Sequence, residues 1–444
     1  MKIKSVMAWS MVVALGGFLF GFDTAVISGA EKAIQQHWHL SSFAHGFTIS
    51  IALIGTVIGS LVGSKPSDQF GRKNTLYFVA IAYLLSSLGT ALAENWYVFL
   101  LFRLLGGLGV GISSVTAPIY ISEVSPAERR GKMVGLFQFN VVLGILISYL
   151  SNFMLSQFGE ASWRWMLGVQ AIPSLIFLIL IFLIPESPRW LILKRGATEK
   201  ASEILKMINP FNYEQELKSI QNSVQNVDRK NDVSKSLFSG KYNKPVLLAT
   251  LFAFFNQVSG INAIIYYAPR IFEMAGLGAH SSLLSTVGIG LINFAFTLLA
   301  INFIDKAGRR LLMYIGTVGL IISLLLVSFT FYTGKFSGYA IPIYMMFFIA
   351  FFAFSQGAVI WVFISEIFPN QIRAKGQTLG SSTHWIMAAL IAFSFPYFSE
   401  KLGGGTTFLF FAIMMMLQFL FVWKLMPETK GKSLEQIEGN IVLH

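Results

Sequence analysis

The stretch that decides the fold is Asp68-Gln-Phe-Gly-Arg-Lys73, because it occurs twice, the second time as Asp305-Lys-Ala-Gly-Arg-Arg310. Two further pairs repeat in the same order: Ile121-Ser-Glu-Val-Ser-Pro126 with Ile364-Ser-Glu-Ile-Phe-Pro369, and Pro185-Glu186 with Pro427-Glu428. Each copy follows a long apolar stretch. The chain is therefore predicted to consist of two related halves, an organisation typical of membrane transporters that bind substrate at the repeat interface.

Composition excludes an ordinary soluble protein. Of the 444 residues 55% are hydrophobic and only 12% are charged, whereas soluble domains carry about 25% charged residues. The apolar residues arrive in blocks of roughly 20, the length at which a helix spans a bilayer. Backbone in lipid must satisfy its own hydrogen bonds, so these blocks are expected to be helices. The sequence contains no nucleotide-binding P-loop and no nucleophile–base constellation, and we expect neither an enzyme nor an ATP-driven pump.

The apolar blocks predict an all-α membrane protein with twelve transmembrane helices in two six-helix bundles. The N-terminal bundle is expected over 1–184 and the C-terminal bundle over 244–428, joined by a cytoplasmic linker with short helices over 185–243 and followed by a cytoplasmic tail over 429–444. The predicted spans lie near 8–30, 46–64, 75–93, 97–120, 133–155, 165–184, 246–269, 281–303, 311–333, 339–364, 376–398 and 406–426.

The net charge of +12 would suggest a nucleic-acid partner in a soluble protein. Here most lysines and arginines fall in alternate segments between the spans, which places both termini in the cytoplasm and indicates no nucleic-acid binding. The start, Met1-Lys2-Ile3-Lys4 before an apolar run, also resembles a signal peptide. The length of that run and the presence of Asp23 favour an uncleaved first span. The absence of cysteine fits a bacterial inner membrane.

Asp23 and Arg103 are the formal charges that fall deep within predicted spans. Such charges are costly in lipid unless they are paired or hydrated, and they usually mark function. Asp23 lies 8 residues before Glu31 and Arg103 lies 9 residues after Glu94, so both are expected at similar depth, roughly 12–14 Å below the outer face. The pair is either a permanent link between two helices or a proton-coupling pair. Pairing favours the charged carboxylate and desolvation favours the neutral one.

Amide side chains are concentrated in the seventh span. Asn256, Gln257 and Asn262 cluster around Gly260, where a break in the helix would direct polar groups inward. Amides offer hydrogen-bond donors and acceptors without charge, and this suits a neutral, hydroxyl-rich ligand such as a sugar. A hydrogen bond between helices is the alternative role for any single amide.

The repeated motifs, taken together, resemble the sugar porter family of the major facilitator superfamily, which includes facilitative glucose transporters and a bacterial xylose–proton symporter. The resemblance runs from the first helix to the C-terminal tail. The matching stretches are Gly16–Gly29, Asp68–Lys73, Arg103–Gly111, Pro185–Trp190, Gln257–Asn262 with Tyr266-Tyr267, Asp305–Arg310, Ser365–Pro369 and Pro427–Gly431. Proton-coupled members resemble this sequence in having Asp at the position of Asp23, where uniporters commonly have Asn.

The resemblance also implies a set of substrate-binding residues. Amides, aromatic residues and two tyrosines of an outer gate match the family positions Phe20, Gln138, Gln257, Asn262, Asn293, Trp361, Trp385, Tyr266 and Tyr267. Asn256, Gln356 and His384 stand at site positions where this sequence departs from the usual residue. These departures affect the choice of sugar. His384 could bind sugar, modulate pH dependence or bond another helix, and a lone Trp could belong to an interfacial belt.

The resemblance implies cytoplasmic salt-bridge clusters as well. Their members recur in both halves, and each arginine could equally serve as a topological anchor: Arg72, Glu123, Arg130, Arg309, Glu366 and Arg373. His37, His39 and His45 lie in or beside the first outer loop. Without carboxylate or cysteine at ligand spacing they are expected to be solvated loop residues, and no metal site or cofactor is predicted.

We therefore predict a hexose or pentose transporter, expected to be a monomer in the lipid bilayer, that couples sugar to a proton by alternating access. The alternative within transport is an uncoupled sugar uniporter. A membrane sugar sensor is a further alternative, but sensors of this family carry long cytoplasmic tails. A drug–proton antiporter would need a more apolar cavity with acidic residues, which the amide cluster does not suggest.

Overall fold

A computed structural model of the chain describes residues 6–126, 130–229, 237, 240, 242–336, 338–369 and 372–430. Within these residues the regular secondary structure is helical throughout. The cytoplasmic tail from residue 431 onward, predicted as part of 429–444, lies outside the described residues, as does the side chain of Arg130.

The described residues of the first half of the chain and the linker form eleven helices. They are α1 (Val6–His37), α2 (Ser42–Val62), α3 (Ser64–Phe70), α4 (Arg72–Leu92), α5 (Trp96–Val124), α6 (Arg130–Leu155), α7 (Ser162–Gly168), α8 (Ala171–Ile181), α9 (Pro188–Arg195), α10 (Thr198–Ile208) and α11 (Tyr213–Arg229). The second half contains α12 (Asn243–Val258), α13 (Ile261–Met274), α14 (Ala279–Ala307), α15 (Arg309–Thr333), α16 (Ala340–Phe354), α17 (Gln356–Ile367) and α18 (Arg373–Lys424).

Several predicted spans are built from two helices, and one helix contains two predicted spans. The seventh span is divided between α12 and α13 at Gly260, and the tenth between α16 and α17 at Ser355. Conversely, α18 runs for 52 residues and leaves helical geometry at Gly403, where φ is 76°. Eleven helices or helix pairs in the described residues are long and apolar enough to cross a membrane, and α18 accounts for the difference from the twelve predicted.

The chain forms two compact units. Unit 1 contains Met1–Asp23, Gly55–Ile145 and Leu167–Ser234, and unit 2 contains Thr24–Ile54, Leu146–Met166 and Lys235–His444. In unit 1, α4 packs against α5 and α8. In unit 2, α18 packs against α12 and α15, and α16 packs against α14 and α15.

Both copies of the Asp-x-x-Gly-Arg motif end one helix and start the next in the same way. Gly71 and Gly308 have φ values of 96° and 93°, a region that glycine adopts without strain. Their missing side chains also admit a carboxylate: a Cβ atom would lie 2.2 Å from Glu186 Oε2 at Gly71 and 2.8 Å from Glu428 Oε2 at Gly308. Glycine is required at this position for both reasons.

The carboxylates at these two turns accept hydrogen bonds from the first backbone N–H groups of the following helix. Glu186 accepts from the amides of Arg72 and Lys73 at 3.0 and 3.1 Å, and Glu428 accepts from those of Arg309 and Arg310 at 3.0 and 2.9 Å. The N-terminus of a helix has free N–H groups and a positive dipole end, so an acid stabilises it. The repeated Pro-Glu dipeptide therefore caps α4 and α15.

Close approach of α1 and α6 depends on Gly144, because a Cβ atom there would lie 2.1 Å from the backbone oxygen of Phe18. Gly135 on the same helix has no atom within 4 Å of that position. We expect Gly144→Ala to destabilise the protein by about 1–3 kcal/mol through overpacking. Gly135→Ala should be neutral or stabilise it by up to about 1 kcal/mol. Thermal unfolding of both variants in detergent is the measurement; equal unfolding temperatures would contradict the contact.

The caps should respond to pH. Burial alone would raise the pKa of Glu428, but the backbone N–H groups of Lys430, Arg310, Arg309 and Thr429 together hold it below its usual value. A lowered pKa gives stability that is present above the unfolded value of about 4.3 and is lost as the pH falls through the folded value. The difference in unfolding temperature between wild type and Glu428→Gln should therefore be constant above about pH 5 and shrink below about pH 4.

Glu186 serves as a control, because its pKa is shifted in the opposite direction from that of Glu428. It is more deeply buried, and burial outweighs its backbone hydrogen bonds and raises its pKa. Its contribution is therefore present at low pH and is lost as the pH rises through the folded value. If Glu186→Gln and Glu428→Gln changed the pH profile in the same direction, this account of the two caps would be wrong.

Candidate functional site

Asp23 on α1 and Arg103 on α5 form a buried ion pair in unit 1. Arg103 Nη1 donates to Asp23 Oδ1 at 3.0 Å, and the side chains are only 2% and 4% exposed, respectively. Gly106, one turn beyond Arg103, allows α5 to pack closely on α4. A Cβ atom there would lie only 2.4 Å from Ser86 Oγ, whereas its distance to Asp23 Oδ1 would be an ordinary 3.6 Å.

The pair is a single hydrogen bond and not a two-pronged one. Arg103 Nε and Nη2 are buried, and no partner for them lies among the described residues. A guanidinium has five N–H donors and a carboxylate about four acceptor sites, so much of the bonding capacity of both groups is unused. Buried N–H groups of a charged side chain that lack a hydrogen-bond partner destabilise the protein. This arrangement favours a pair that changes partners over one that fixes two helices permanently.

The three amides of the seventh span form a connected cluster in unit 2. Gly260, with φ of 88°, separates α12 from α13. Gln257 Nε2 donates to Asn256 Oδ1 at 2.8 Å, and Asn262 Nδ2 donates to Gln257 Oε1 across the break. Asn256 and Gln257 are buried and Asn262 is 8% exposed. The break therefore brings amides from two short helices together.

His384 on α18 adjoins this cluster. Gln257 Nε2 lies 3.2 Å from both ring nitrogens of His384. The imidazole also contacts two tryptophans, with ring centroids 4.8 Å from Trp361 and 4.8 Å from Trp385. Trp361 is 36% exposed, so part of its face is open. Amides next to open aromatic surface can hold both the hydroxyl groups and the C–H face of a sugar.

The other predicted substrate-binding residues are distributed over both units. Phe20 on α1 and Gln138 on α6 are half-buried in unit 1, and Asn293 on α14 is half-buried in unit 2. Gln356 is fully buried, and its Nε2 donates to Gln418 Oε1 at 2.8 Å. The amide of Gln356 is thus engaged with α18, the role of a helix–helix hydrogen bond.

The two predicted gate tyrosines are buried in α13. Tyr267 has φ of −125° and ψ of 17°, outside helical values, two residues before Pro269. Its hydroxyl donates to the Ala392 backbone oxygen at 2.8 Å. Tyr149 Oη donates to the oxygen of Ile265, the residue before Tyr266, at 2.8 Å. Hydrogen bonds from neighbouring helices therefore hold this irregular segment in place.

The predicted cytoplasmic charge clusters are formed around the repeated arginines. In unit 1 Arg72 donates to both oxygens of Glu123 at 3.0 and 3.1 Å. In unit 2 Arg309 donates to both oxygens of Glu366 at 3.2 and 2.8 Å. Arg373 donates to the backbone oxygen of Phe368 at 3.3 Å. The two halves thus repeat one two-pronged ion pair each.

Sequence reasoning missed a charged cluster at the opposite end of unit 2. His45 was expected to be a solvated loop residue, which is wrong: it lies in α2, is fully buried, and its Nε2 is 2.7 Å from Glu31 Oε2. Arg270 on α13 donates to the same carboxylate at 2.8 and 2.7 Å. Because α1 and α13 continue beyond the predicted span ends at 30 and 269, Glu31 and Arg270 lie inside helices. The available signal was that Glu31 and Arg270 each directly follow the end of a predicted apolar span.

Among the residues that the structure describes, no group of three His, Cys, Asp or Glu side chains could hold a metal ion. Several of the described charges instead form ion pairs between helices.

Comparison with known proteins agrees with this geometry. The family model described as sugar (and other) transporter matches residues 9–440. The arabinose–proton symporter of Bacillus subtilis is 38% identical over 436 residues, which cover 97% of this chain and 93% of the relative. The D-xylose–proton symporter of Escherichia coli is 35% identical over 469 residues, covering 97% and 94%.

Solved structures give the same result. The xylose transporter XylE from E. coli in an inward-open conformation matches with a TM-score of 0.86 at 34% identity, covering 98% of this chain and all of that chain. A partially occluded inward-open form matches with a TM-score of 0.84 at 33% identity, covering 97% of this chain and 100% of that one. The predicted all-α fold with twelve transmembrane helices is thereby confirmed. This chain belongs to the sugar transporter family of the major facilitator superfamily.

Proposed function

We propose that this protein carries a monosaccharide together with a proton across a bacterial cytoplasmic membrane. Several relatives that cover nearly the whole chain are named sugar–proton symporters, for arabinose and for D-xylose. The observation that carries the proposal is the buried Asp23–Arg103 pair with its single hydrogen bond.

Proton coupling follows from the chemistry of that pair. Ionised Asp23 is stabilised by Arg103, whereas a proton on Asp23 removes the attraction and leaves the arginine to find other acceptors. The two protonation states of Asp23 therefore favour different arrangements of α1 and α5. A proton bound from one side and released to the other would bias an alternating-access cycle in one direction.

Sugar recognition is assigned to the amide cluster of α12 and α13 with His384 and the two tryptophans. The side chain of Gln257 contacts Asn256, Asn262 and His384. A ligand hydroxyl that bonds to Gln257 in place of one of these residues would therefore lie next to the other two. Gln138, Asn293 and Phe20 are proposed as further contributors. Uncharged donors and acceptors suit a neutral polyol.

The distribution of Lys and Arg sets the proposed orientation. With both termini in the cytoplasm, the Arg72 and Arg309 clusters face the cytoplasm, and the cluster of Glu31 and Arg270 faces the outside. The two-pronged pairs Arg72–Glu123 and Arg309–Glu366 are proposed to stabilise the form of the transporter that is closed to the cytoplasm.

Replacement of Asp23 separates symport from facilitated transport. In Asp23→Asn the side chain keeps its shape but cannot be ionised, so sugar movement should be disconnected from the pH gradient. We expect uphill accumulation to be abolished and sugar exchange across proteoliposome membranes to continue. Sugar-induced alkalinisation of the medium, tested with a panel of hexoses and pentoses, should be present in wild type and absent in the variant.

Exchange by the same variant serves as the control for folding. An Asp23→Asn protein that accumulated sugar like wild type would remove the coupling role of this residue. Wild-type uptake of sugar without any proton movement would indicate an uncoupled uniporter.

The amide cluster makes a second prediction. Gln257→Leu removes the amide that contacts Asn256, Asn262 and His384. These polar groups are then buried without that hydrogen-bond partner, which costs about 1–3 kcal/mol of binding free energy. We expect sugar affinity to fall roughly 10-fold to 100-fold. The matched control is Asn302→Leu, an exposed amide whose Nδ2 donates only to the Leu298 oxygen of its own helix at 3.0 Å. Binding of the transported sugar to purified protein is the measurement, and equal affinities of the two variants would contradict this site.

A further inference from the structure

Four residues of unit 2 form a polar cluster, called here the outer lock: the buried Glu31 on α1 and His45 on α2, and the partly exposed Gln35 on α1 and Arg270 on α13. We propose that the outer lock is a second proton-binding site, separate from Asp23, at which protonation releases the outer ends of these helices from one another. The inference rests on the proposed transport function and orientation.

The outer lock is held together by hydrogen bonds to one carboxylate. Arg270 Nε donates to Glu31 Oε1 at 2.8 Å and its Nη2 donates to Glu31 Oε2 at 2.7 Å. Arg270 Nη2 also donates to Gln35 Oε1 at 2.5 Å. His45 Nε2 reaches Glu31 Oε2 at 2.7 Å. Three helices therefore meet on the side chain of Glu31.

Burial makes these bonds sensitive to charge. Glu31 is 1% exposed and His45 is 0% exposed. With Glu31 ionised, Arg270 charged and His45 neutral, the buried cluster carries no net charge, and His45 donates its Nε2 proton to the carboxylate. A closed lock is therefore favoured by this protonation state, because uncompensated charge is expensive away from water.

An added proton destabilises the closed lock. His45 Nδ1 is buried and has no partner among the described residues, so protonation would leave an unsatisfied N–H there. It would also place a second positive charge beside Arg270, whose Nη2 is 3.5 Å from His45 Nε2. His45 is therefore the group of the lock that takes the added proton. That proton favours an arrangement in which the helices separate and His45 reaches water.

The groups around the lock do not supply another acceptor for His45. The Tyr267 ring lies 6.1 Å from the His45 ring, and the Tyr267 hydroxyl donates a hydrogen bond to the backbone oxygen of Ala392. Lys32 pairs with Glu273. Glu400 accepts from Ser42. Lys32 and Glu273 are thus paired with each other and Glu400 is bonded to Ser42, which leaves Arg270 as the charged neighbour of Glu31 and His45 in the lock.

Protons can reach the lock from one side. A polar cavity of about 510 Å³ adjoins it, and its lining includes Gln35 and Arg270 together with Lys32, Glu273, Ser399 and Glu400. A cavity of that size is wide enough for water. The lock thus has a route to external protons.

The helix that the lock holds is irregular. α13 is separated from α12 by Gly260, has non-helical backbone angles at Tyr267 and contains Pro269. In our proposal these breaks let the end of α13 that carries Arg270 shift separately from α12. Release of Arg270 from Glu31 would free the segment that carries the two gate tyrosines, so external acidity would promote opening to the side from which protons enter.

Cysteine labelling tests this directly, because the chain has no native cysteine. Ser28 on α1 is buried three residues before Glu31, and Ser28→Cys is a near-isosteric reporter of lock opening. Ser41→Cys, at an exposed position in the α1–α2 turn, corrects for the intrinsic pH dependence of the reagent. Cells expressing each protein are treated with a membrane-impermeant maleimide without sugar.

An exposed imidazole titrates near pH 6.5. If the closed lock excludes the proton, the corrected labelling rate at residue 28 should rise about tenfold from about pH 8 to about pH 5.5. His45→Gln keeps a neutral donor to Glu31 and should reduce this rise to less than about twofold. Glu31→Gln should label rapidly at every pH. Asp23→Asn should retain the pH-dependent rise, because the two proton sites are separate.

A labelling rate that does not change with pH, or one that changes equally in His45→Gln, would overturn the proposal, and so would loss of the response in Asp23→Asn. Sugar exchange by His45→Gln verifies that this variant is folded. The labelling assay needs no sugar, so its failure is distinguishable from failure of sugar–proton coupling, which is read from uptake alone.

Discussion

The carboxylate of Asp23 and the guanidinium of Arg103 are bonded to each other through one hydrogen bond while both are almost wholly withdrawn from solvent. A membrane protein tolerates such charges only where they serve one another or a passing ion. Close packing surrounds the pair, since Gly106 allows α5 to approach Ser86 on α4 and Gly144 allows α6 to approach α1. A proton on Asp23 would remove its negative charge and so weaken its attraction for Arg103.

Two structural features occur once in each half of the chain: a carboxylate helix cap and an arginine–glutamate ion pair. Glu186 and Glu428 cap the helices that begin at Arg72 and Arg309, and those same arginines hold Glu123 and Glu366 with their side chains. One residue thus joins a helix start to an ion pair in each half. The breaks in α12–α13 and α16–α17 are concentrated in the second half, where amides and aromatic residues converge.

Hydropathy and repeated motifs predicted the helical membrane fold, the break at Gly260 and the charged pair in the first and fourth spans. They failed where apolar character ends before the helix does. α1 continues to His37 and α2 already begins at Ser42, so Glu31 and His45 lie inside the protein although they border a predicted loop. Their partner Arg270 is more than 200 positions away, and a single sequence does not reveal such pairings. The bond between Gln356 and Gln418 was missed for the same reason.

The central claim is that the Asp23 carboxyl group changes its protonation state when sugar binds. Difference infrared spectroscopy of the reconstituted protein, with and without sugar, measures this in the carbonyl-stretch region of protonated carboxylic acids. The account predicts a sugar-dependent band that is present in wild type and missing in Asp23→Asn. A carboxylate that stays ionised in every state, with no such band while sugar still accumulates against its gradient, would contradict it.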